Sequence, residues 1–317
     1  MTEPLLTVDD LVVHYPAGRK RVVHAVDGVS LSVAPGEFVA LVGESGCGKT
    51  TTAQAIMRMA KVTAGTITYR GRDITTFSQR QMRPIRHEMQ LIFQDPYESL
   101  DPRFRVRDTV IEPLQIHGVT DNREERVRAA LERAGLTPAE LYIDRYPHEL
   151  SGGQRQRVSI AASLVLEPTL LLADEPVSML DVSVRAGILG LLDELRKSGL
   201  GILMITHDLS TAAHYADRIC VMYLGRVVEE GPAHEVIRNP QHPYTKALVS
   251  VVPQPDPDRA TKPQILQGET PNPVNVPSGC RFHPRCPVAE ARCQNEDPQL
   301  HPAGGAGQQA ACLLIKA

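Results

Sequence analysis

A surplus of either charge is missing from this sequence: 34 Lys and Arg stand against 37 Asp and Glu, a formal net charge of −3. Nucleic-acid binders carry a basic patch or stripe, so no nucleic-acid partner is expected. Long hydrophobic runs are missing too. The most apolar stretch, Ser163 to Ala173, is interrupted by Glu167 and Pro168, far short of the ~20 apolar residues of a membrane-spanning helix. The opening MTEPLLTVDDLVVHYP has no positive segment leading into an apolar core, so no signal peptide is expected. If the protein serves a membrane, it does so through a partner. No internal repeat or low-complexity tract is visible either.

What is present is enough apolar residue, 42% of 317, for one large domain with an appendage or for two domains. Phe38-Val39-Ala40-Leu41-Val42, Leu170-Leu171-Leu172-Ala173 and Ile202-Leu203-Met204-Ile205 are continuous apolar runs of strand length, as a parallel sheet covered on both faces requires. Between them lie helical patterns at i, i+3, i+4, i+7: Ala53/Ile56/Met57/Ala60, Val127/Ala130/Leu131/Ala134 and Val158/Ala161/Ala162/Val165. The second is expected to open on an Asp121/Glu124 capping box. Residues 84–166 therefore read as a helical insertion into an α/β domain that runs to about residue 238. Beyond it, prolines from Pro240 to Pro277 rule out long helices and central strands. The stretch 239–317 reads as a loop-rich extension.

Gly43-Glu44-Ser45-Gly46-Cys47-Gly48-Lys49-Thr50 fits G-x-x-x-x-G-K-[ST], with a strand before it and a helix after it. Backbone N–H groups of this loop, with Thr51 behind it, would cradle phosphates. Lys49 would reach the β and γ oxygens and the Thr50 hydroxyl would bind Mg²⁺. The strand 170–173 delivers Asp174 and Glu175 to its end, the first suited to the metal and the second to orienting or deprotonating a water. In Leu150-Ser151-Gly152-Gly153-Gln154, a Ser N-cap and two glycines expose a helix N-terminus, a ready anion site. Standing alone, His207 would be a structural histidine, Tyr15 a surface tyrosine, and Cys47 and Cys220 small buried thiols.

Taken in order, Gly43–Thr50, Gln94, Leu150–Gln154, Asp174-Glu175, Ser178–Asp181 and His207 resemble the ABC ATPase family from end to end. The resemblance implies a P-loop NTPase fold: a RecA-like core with an antiparallel β subdomain, and a helical subdomain at about 84–166, all within residues 1–238. It implies ATP and Mg²⁺ as ligands and ATP hydrolysis as the activity. Two ATPases would face head to tail, so that Ser151, Gly153 and Gln154 touch the γ-phosphate bound to the partner. Gln94 would sense Mg²⁺ and water, His207 would contact the γ-phosphate, Asp181 would cross the dimer and Tyr15 would stack on adenine. Met179 departs from the smaller residue usual in that loop and touches only fine packing. Glu175 and His207 together imply a catalytically competent site, with Gln94 counted among its catalytic residues.

The strings Gln94–Arg103, His242–Leu248 and Pro277–Pro287 resemble the oligopeptide/dipeptide importer branch, and the tail is closer to its F type than to its D type. This implies a heterodimer with a homologous D-type ATPase, two permease subunits, an indirect extracytoplasmic peptide-binding protein, and a place at the cytoplasmic face of the inner membrane. A soluble ABC ATPase of DNA repair or translation is the alternative, but the coiled-coil or zinc insertions and the second cassette of such proteins are not visible. Four of the six cysteines, Cys280, Cys286, Cys293 and Cys312, fall in the tail. Disulfides, zinc and iron–sulfur are each open to them, because the spacing suits neither common zinc ribbons nor ferredoxin runs. The resemblance implies a [4Fe–4S] cluster.

Overall fold

The computed structural model describes residues 3–18, 21–95, 100–252 and 263–315. The stretch Pro96-Tyr97-Glu98-Ser99 of the first importer string, and Pro253, Pro255 and Pro257, lie outside the described residues. In chain order the strands and helices are β1 (Leu6–Pro16), β2 (Val22–Val33), β3 (Phe38–Val42), α1 (Lys49–Ile56), β4 (Ala64–Tyr69) and β5 (Arg72–Asp73). Then come α2 (Gln79–Glu88), β6 (Met89–Ile92), α3 (Val106–Ile116), α4 (Arg123–Arg133), α5 (Gly152–Leu164), β7 (Leu170–Asp174), α6 (Val182–Lys197) and β8 (Gly201–Thr206). The remainder is α7 (Leu209–Tyr215), β9 (Arg218–Tyr223), β10 (Arg226–Pro232), α8 (Ala233–Arg238), α9 (Pro243–Ser250), β11 (His301–Pro302) and β12 (Gln309–Ala310).

Two compact units divide the chain, one made of residues 1–5, 33–38 and 76–205, the other of residues 6–32, 39–75 and 206–317. In the first, β6, β7 and β8 lie side by side and parallel. β7 and β8 are buried along their whole length, as strands covered on both faces must be. Helices α3, α4 and α5 pack on one another. The stretch read as mostly helical, about 84–166, holds one strand near its start. Met89-Gln90-Leu91-Ile92 is a strand, with Met89 opposite Leu170 and Ile92 opposite Ala173. Its four residues follow α2 without a turn, so they read as the end of a helical pattern.

Local capping decides the start of α5 in this unit. Ser151 accepts from the Gln154 N–H at 3.3 Å while Gln154 Oε1 accepts from the Ser151 N–H at 3.0 Å, a reciprocal capping box. The expected Asp121/Glu124 box is not formed. α4 instead starts after Asn122, whose φ of 50° is left-handed, with no side-chain cap. Glu124 instead accepts from Arg107 at 2.9 Å.

In the second unit β4 runs antiparallel to both β1 and β5, and β2 borders β1 in a four-stranded sheet. β3 lies parallel to β9, and β9, β10, β12 and β11 continue antiparallel in that order. The extension is thus less irregular than its prolines suggest: residues 301–310 add two short strands, and Pro243 opens α9, where its missing N–H costs nothing. The compact units do not part at residue 238, because the extension packs in the unit that holds β1, β3 and α1. Among the described residues, no helix is long and apolar enough to cross a membrane.

His242 anchors the start of the extension. It is buried, its Nδ1 accepts the Tyr244 N–H at 3.1 Å, and its own N–H donates to Glu229 at 2.7 Å. Burial, with Lys246 nearby, pushes its pKa down to about 3. Its folded pKa lies below the unfolded value near 6.5, so its contribution to stability is complete above that pH and is lost as pH falls toward 3. His242→Asn keeps an acceptor and removes the titration. Between pH 6.5 and 5 the wild type should lose about 2 kcal/mol more unfolding free energy than this variant. Burial shifts Glu229 the opposite way, and because both proteins carry it, it cancels in the difference. Parallel denaturation curves for the two proteins would contradict the assignment.

Candidate nucleotide site

The phosphate loop sits between β3 and α1. Gly43 is closed in by the Met222 carbonyl oxygen, which an added Cβ would meet at 2.2 Å. Gly48 has φ 108°, and a Cβ there would meet the Ala25 carbonyl oxygen at 2.1 Å. The loop is therefore a cradle that only glycine can line at these two points. The Lys49 Nζ donates to the Gly43 and Glu44 carbonyls at 2.8 and 3.0 Å, so the ammonium sits against the loop that is to hold anions. Cys47 N–H donates to Glu44 O at 3.3 Å, and Cys47 O accepts from Gly225 N–H at 2.9 Å. Cys47 is buried, and that burial pushes its thiol up. It packs the loop as a small apolar residue would. Ser45, Gly46 and Thr50 are exposed and Thr51 is half-buried. Loop glycines, a buried lysine and a hydroxyl at a helix N-terminus fit a Mg²⁺-bound nucleoside triphosphate. In the same unit, Tyr15 is half-exposed near the end of β1. His207 is exposed one residue past β8, just before Asp208 caps α7 through Oδ1.

The other unit holds the carboxylates. Asp174 ends β7 opposite Ile205, and Glu175 follows with its N–H on Ile205 O at 2.9 Å. Both are buried. Glu175 has φ 49°, a left-handed conformation that costs a non-glycine residue roughly 1–2 kcal/mol. Its carbonyl accepts from the Ser178 N–H and hydroxyl at 3.2 and 3.1 Å. Gln94 is exposed just beyond β6, and Asp181 is exposed at the start of α6. In the 151–154 turn Ser151 is exposed, Gln154 is half-buried in its capping box, and Gly153 is buried. A Cβ on Gly153 would meet Val184 Cγ1 at 2.3 Å. That glycine therefore lets α5 approach α6, a reason that a reading of it as an open anion site does not contain.

The extension reaches the phosphate loop, which nothing local in the sequence signals. Arg285 donates from both guanidinium nitrogens to Glu44, at 2.8 and 3.2 Å, and Thr270 Oγ1 donates to Glu44 Oε2 at 2.5 Å. The buried Tyr244 accepts the Glu44 N–H at 3.0 Å. Burial pushes the Glu44 carboxyl up, but the hydrogen bonds from Arg285 and Thr270 and the charges of Arg285 and Lys49 pull harder and leave it below its ordinary value. Phe282 is buried against Tyr223, Tyr244 and His242, with ring centroids 5.2, 5.4 and 5.6 Å away. Arg281 donates to Leu224 O at 2.6 Å and to Asp27, bracing the turn whose Gly225 holds Cys47.

Cys280, Cys286, Cys293 and Cys312 of the extension are free thiols. The Cys280 N–H donates to Cys293 O at 2.9 Å. Burial pushes the Cys280 thiol up to about 11, and the other three cysteines add to the rise. Cys286 and Cys312 are raised by burial as well. Among the described residues, no three of these thiols lie within 4.8 Å of one another. A zinc tetrahedron with ~2.3 Å Zn–S bonds would draw its sulfurs to about 3.8 Å. Thiols are donors that soft metals prefer, but these are not drawn into a metal cage. The one tight trio of metal-type donors among the described residues, His14, His24 and Asp27, is electrically closed, since Arg281 and Arg226 already face Asp27.

A glycine-lined phosphate loop in one unit and a buried strand-end carboxylate pair in the other are the parts of an ATPase of the P-loop class. Residues 26–178 match the ABC transporter family, and residues 228–293 match the oligopeptide/dipeptide transporter C-terminal region. The oligopeptide transport ATP-binding protein OppF of Salmonella typhimurium is 45% identical over 98% of this chain and 96% of its own. YkfD of Bacillus subtilis, also named for oligopeptide transport, is 47% identical over 99% and 96%. The dimeric ATP-binding cassette MJ0796 bound to ADP and Pi matches at TM-score 0.65 and 29% identity, over 72% of this chain and 98% of that one. The cbiO1 subunit of the Clostridium perfringens cbiONQ transporter matches at TM-score 0.66 and 32% identity, over 75% and 92%. The chain belongs to the family of ABC transporter ATP-binding proteins, and it is an ABC-type ATPase.

Proposed function

We propose that this chain is the F-type ATPase subunit of a peptide importer, working with a homologous D-type ATPase, two permease subunits and, indirectly, an extracytoplasmic peptide-binding protein at the cytoplasmic face of the inner membrane. The observation that carries the reading is the match of residues 228–293 to the oligopeptide/dipeptide transporter region, joined to a complete phosphate loop. A soluble ATPase of DNA repair or translation would have no use for that region. In the proposed cycle Lys49 and the loop amides hold the phosphates, and Thr50, Gln94 and Asp174 hold Mg²⁺. Glu175 orients or deprotonates the attacking water and His207 contacts the γ-phosphate. Ser151, Gly153 and Gln154 complete the site of the partner ATPase, with Asp181 crossing the dimer and Tyr15 on adenine. One copy cannot close its own loop with its own signature helix. The chain alone should therefore hydrolyse ATP at least about tenfold more slowly than the complex reconstituted with the D-type ATPase and permeases. Equal rates would refute obligate pairing, and a complex that binding protein with peptide fails to stimulate would refute the peptide reading.

The four tail cysteines are proposed to hold one [4Fe–4S] cluster. Support comes from their soft donor set and from the resemblance to the importer branch. The group would tie the extension together, since ATP hydrolysis requires no electron. Protein purified without oxygen should contain about four irons per chain, absorb broadly in the visible, and lose iron on Cys286→Ser. Stoichiometric zinc without iron would refute the cluster and leave the ATPase reading intact.

A further inference from the structure

Glu44 is the second residue of the phosphate loop, and all three of its polar groups are engaged. Its carbonyl faces inward and accepts from Lys49 Nζ at 3.0 Å. Its N–H faces the extension and donates to Tyr244 at 3.0 Å. Its carboxylate receives the Arg285 fork at 2.8 and 3.2 Å and the Thr270 hydroxyl at 2.5 Å. A peptide unit held at its amide and at its side chain has little freedom to turn its carbonyl. The groups that orient the acceptor of Lys49 therefore lie about 200 to 241 residues further along the chain.

Arg285 is suited to this task. Its side chain is 9% exposed, and its guanidinium lies 5.9 Å from the centroid of the Tyr223 ring. Two N–H groups in a rigid plane on two carboxylate oxygens fix orientation as well as distance, which an ammonium cannot do. Phe282, three residues earlier, anchors the segment in the aromatic group around Tyr223 and Tyr244. We propose that Arg285, assisted by Thr270 and Tyr244, is a positioning residue of the nucleotide site, holding the phosphate loop through Glu44 so that Lys49 stays aimed at bound phosphate. The extension is then part of the ATP site and not an appendage to it. This rests on residues 43–50 being the phosphate loop.

The test is MgATP affinity of the full chain, with KM and kcat in the reconstituted complex. Arg285→Gln and Glu44→Gln should each weaken MgATP binding about tenfold, and the double variant should be no worse than either single, as for partners in one interaction. Arg285→Lys should recover part of the loss, since it keeps the charge and loses the fork. KM should rise in step while kcat changes less than about twofold, as when uniform binding is lost. Tyr244→Phe removes one hydroxyl from a buried ring and should weaken binding about threefold; it carries the test if Arg285→Gln does not fold. Val288→Ala, on the exposed surface of the extension, should bind as wild type. Folded single variants with wild-type affinity, or single effects that multiply in the double variant, overturn the proposal. A wild-type chain that binds no MgATP overturns the phosphate-loop reading instead.

Discussion

Glu175→Gln should leave MgATP binding within about twofold of wild type and cut turnover by roughly 10²–10³, within the range that a positioned general base supplies. The backbone that presents this side chain is held independently of its charge. Its N–H is on Ile205 O, and its carbonyl is on the Ser178 N–H and hydroxyl. The left-handed φ of 49° is set by those contacts. Gln therefore takes the same place with one oxygen replaced by an amide nitrogen that cannot accept a proton. Lys49, Thr50 and Asp174 are untouched, so the nucleotide still binds. The measurement is single-turnover hydrolysis in the reconstituted complex, alongside MgATP affinity. Wild-type turnover would show that another group activates the water, and lost binding would show that Glu175 belongs to the ligand cradle.

Gly48→Ala should abolish measurable MgATP binding, a loss of at least about 100-fold, and destabilise the chain by about 3 kcal/mol. Two effects add at this residue. A φ of 108° lies where L side chains are strained, and the new Cβ would stand 2.1 Å from the Ala25 carbonyl oxygen. That oxygen belongs to backbone, so relief requires moving the loop or β2. Gly46 separates the two effects. Its φ is 80°, but nothing lies within 4 Å of where a Cβ would stand. Gly46→Ala should therefore cost only the conformational part, roughly 1–2 kcal/mol, and retain binding within about tenfold. Equal losses at the two positions would mean that the contact with Ala25 is not what makes Gly48 necessary.

Much of the core was legible in the residues. Strand 38–42 and the strand ending at Asp174 are unbroken apolar runs, and the structure buries both throughout. The Ser151 cap was legible because its partner stands three residues away. Strand 89–92 was not, since four residues carry no period of their own and α2 runs directly into them. The start of α4 was misplaced because a Glu at the right spacing can be taken by a distant arginine, and Arg107 took Glu124.

By itself the sequence determined the local chemistry: which loop can receive phosphate, which strand ends in two carboxylates, and which helix starts on a serine. Those are properties of residues within a few positions of one another, where spacing alone sets geometry. Only the tertiary structure decided that Arg285, Thr270 and Tyr244 close on Glu44, that Gly153 is a packing glycine against Val184, and that His242 is buried and neutral. Contacts between separate elements, up to 241 positions apart for Arg285 and Glu44, leave no period or spacing to read. They form because a folded chain must pair each buried charge and hydrogen-bonding group with whatever the packing brings beside it.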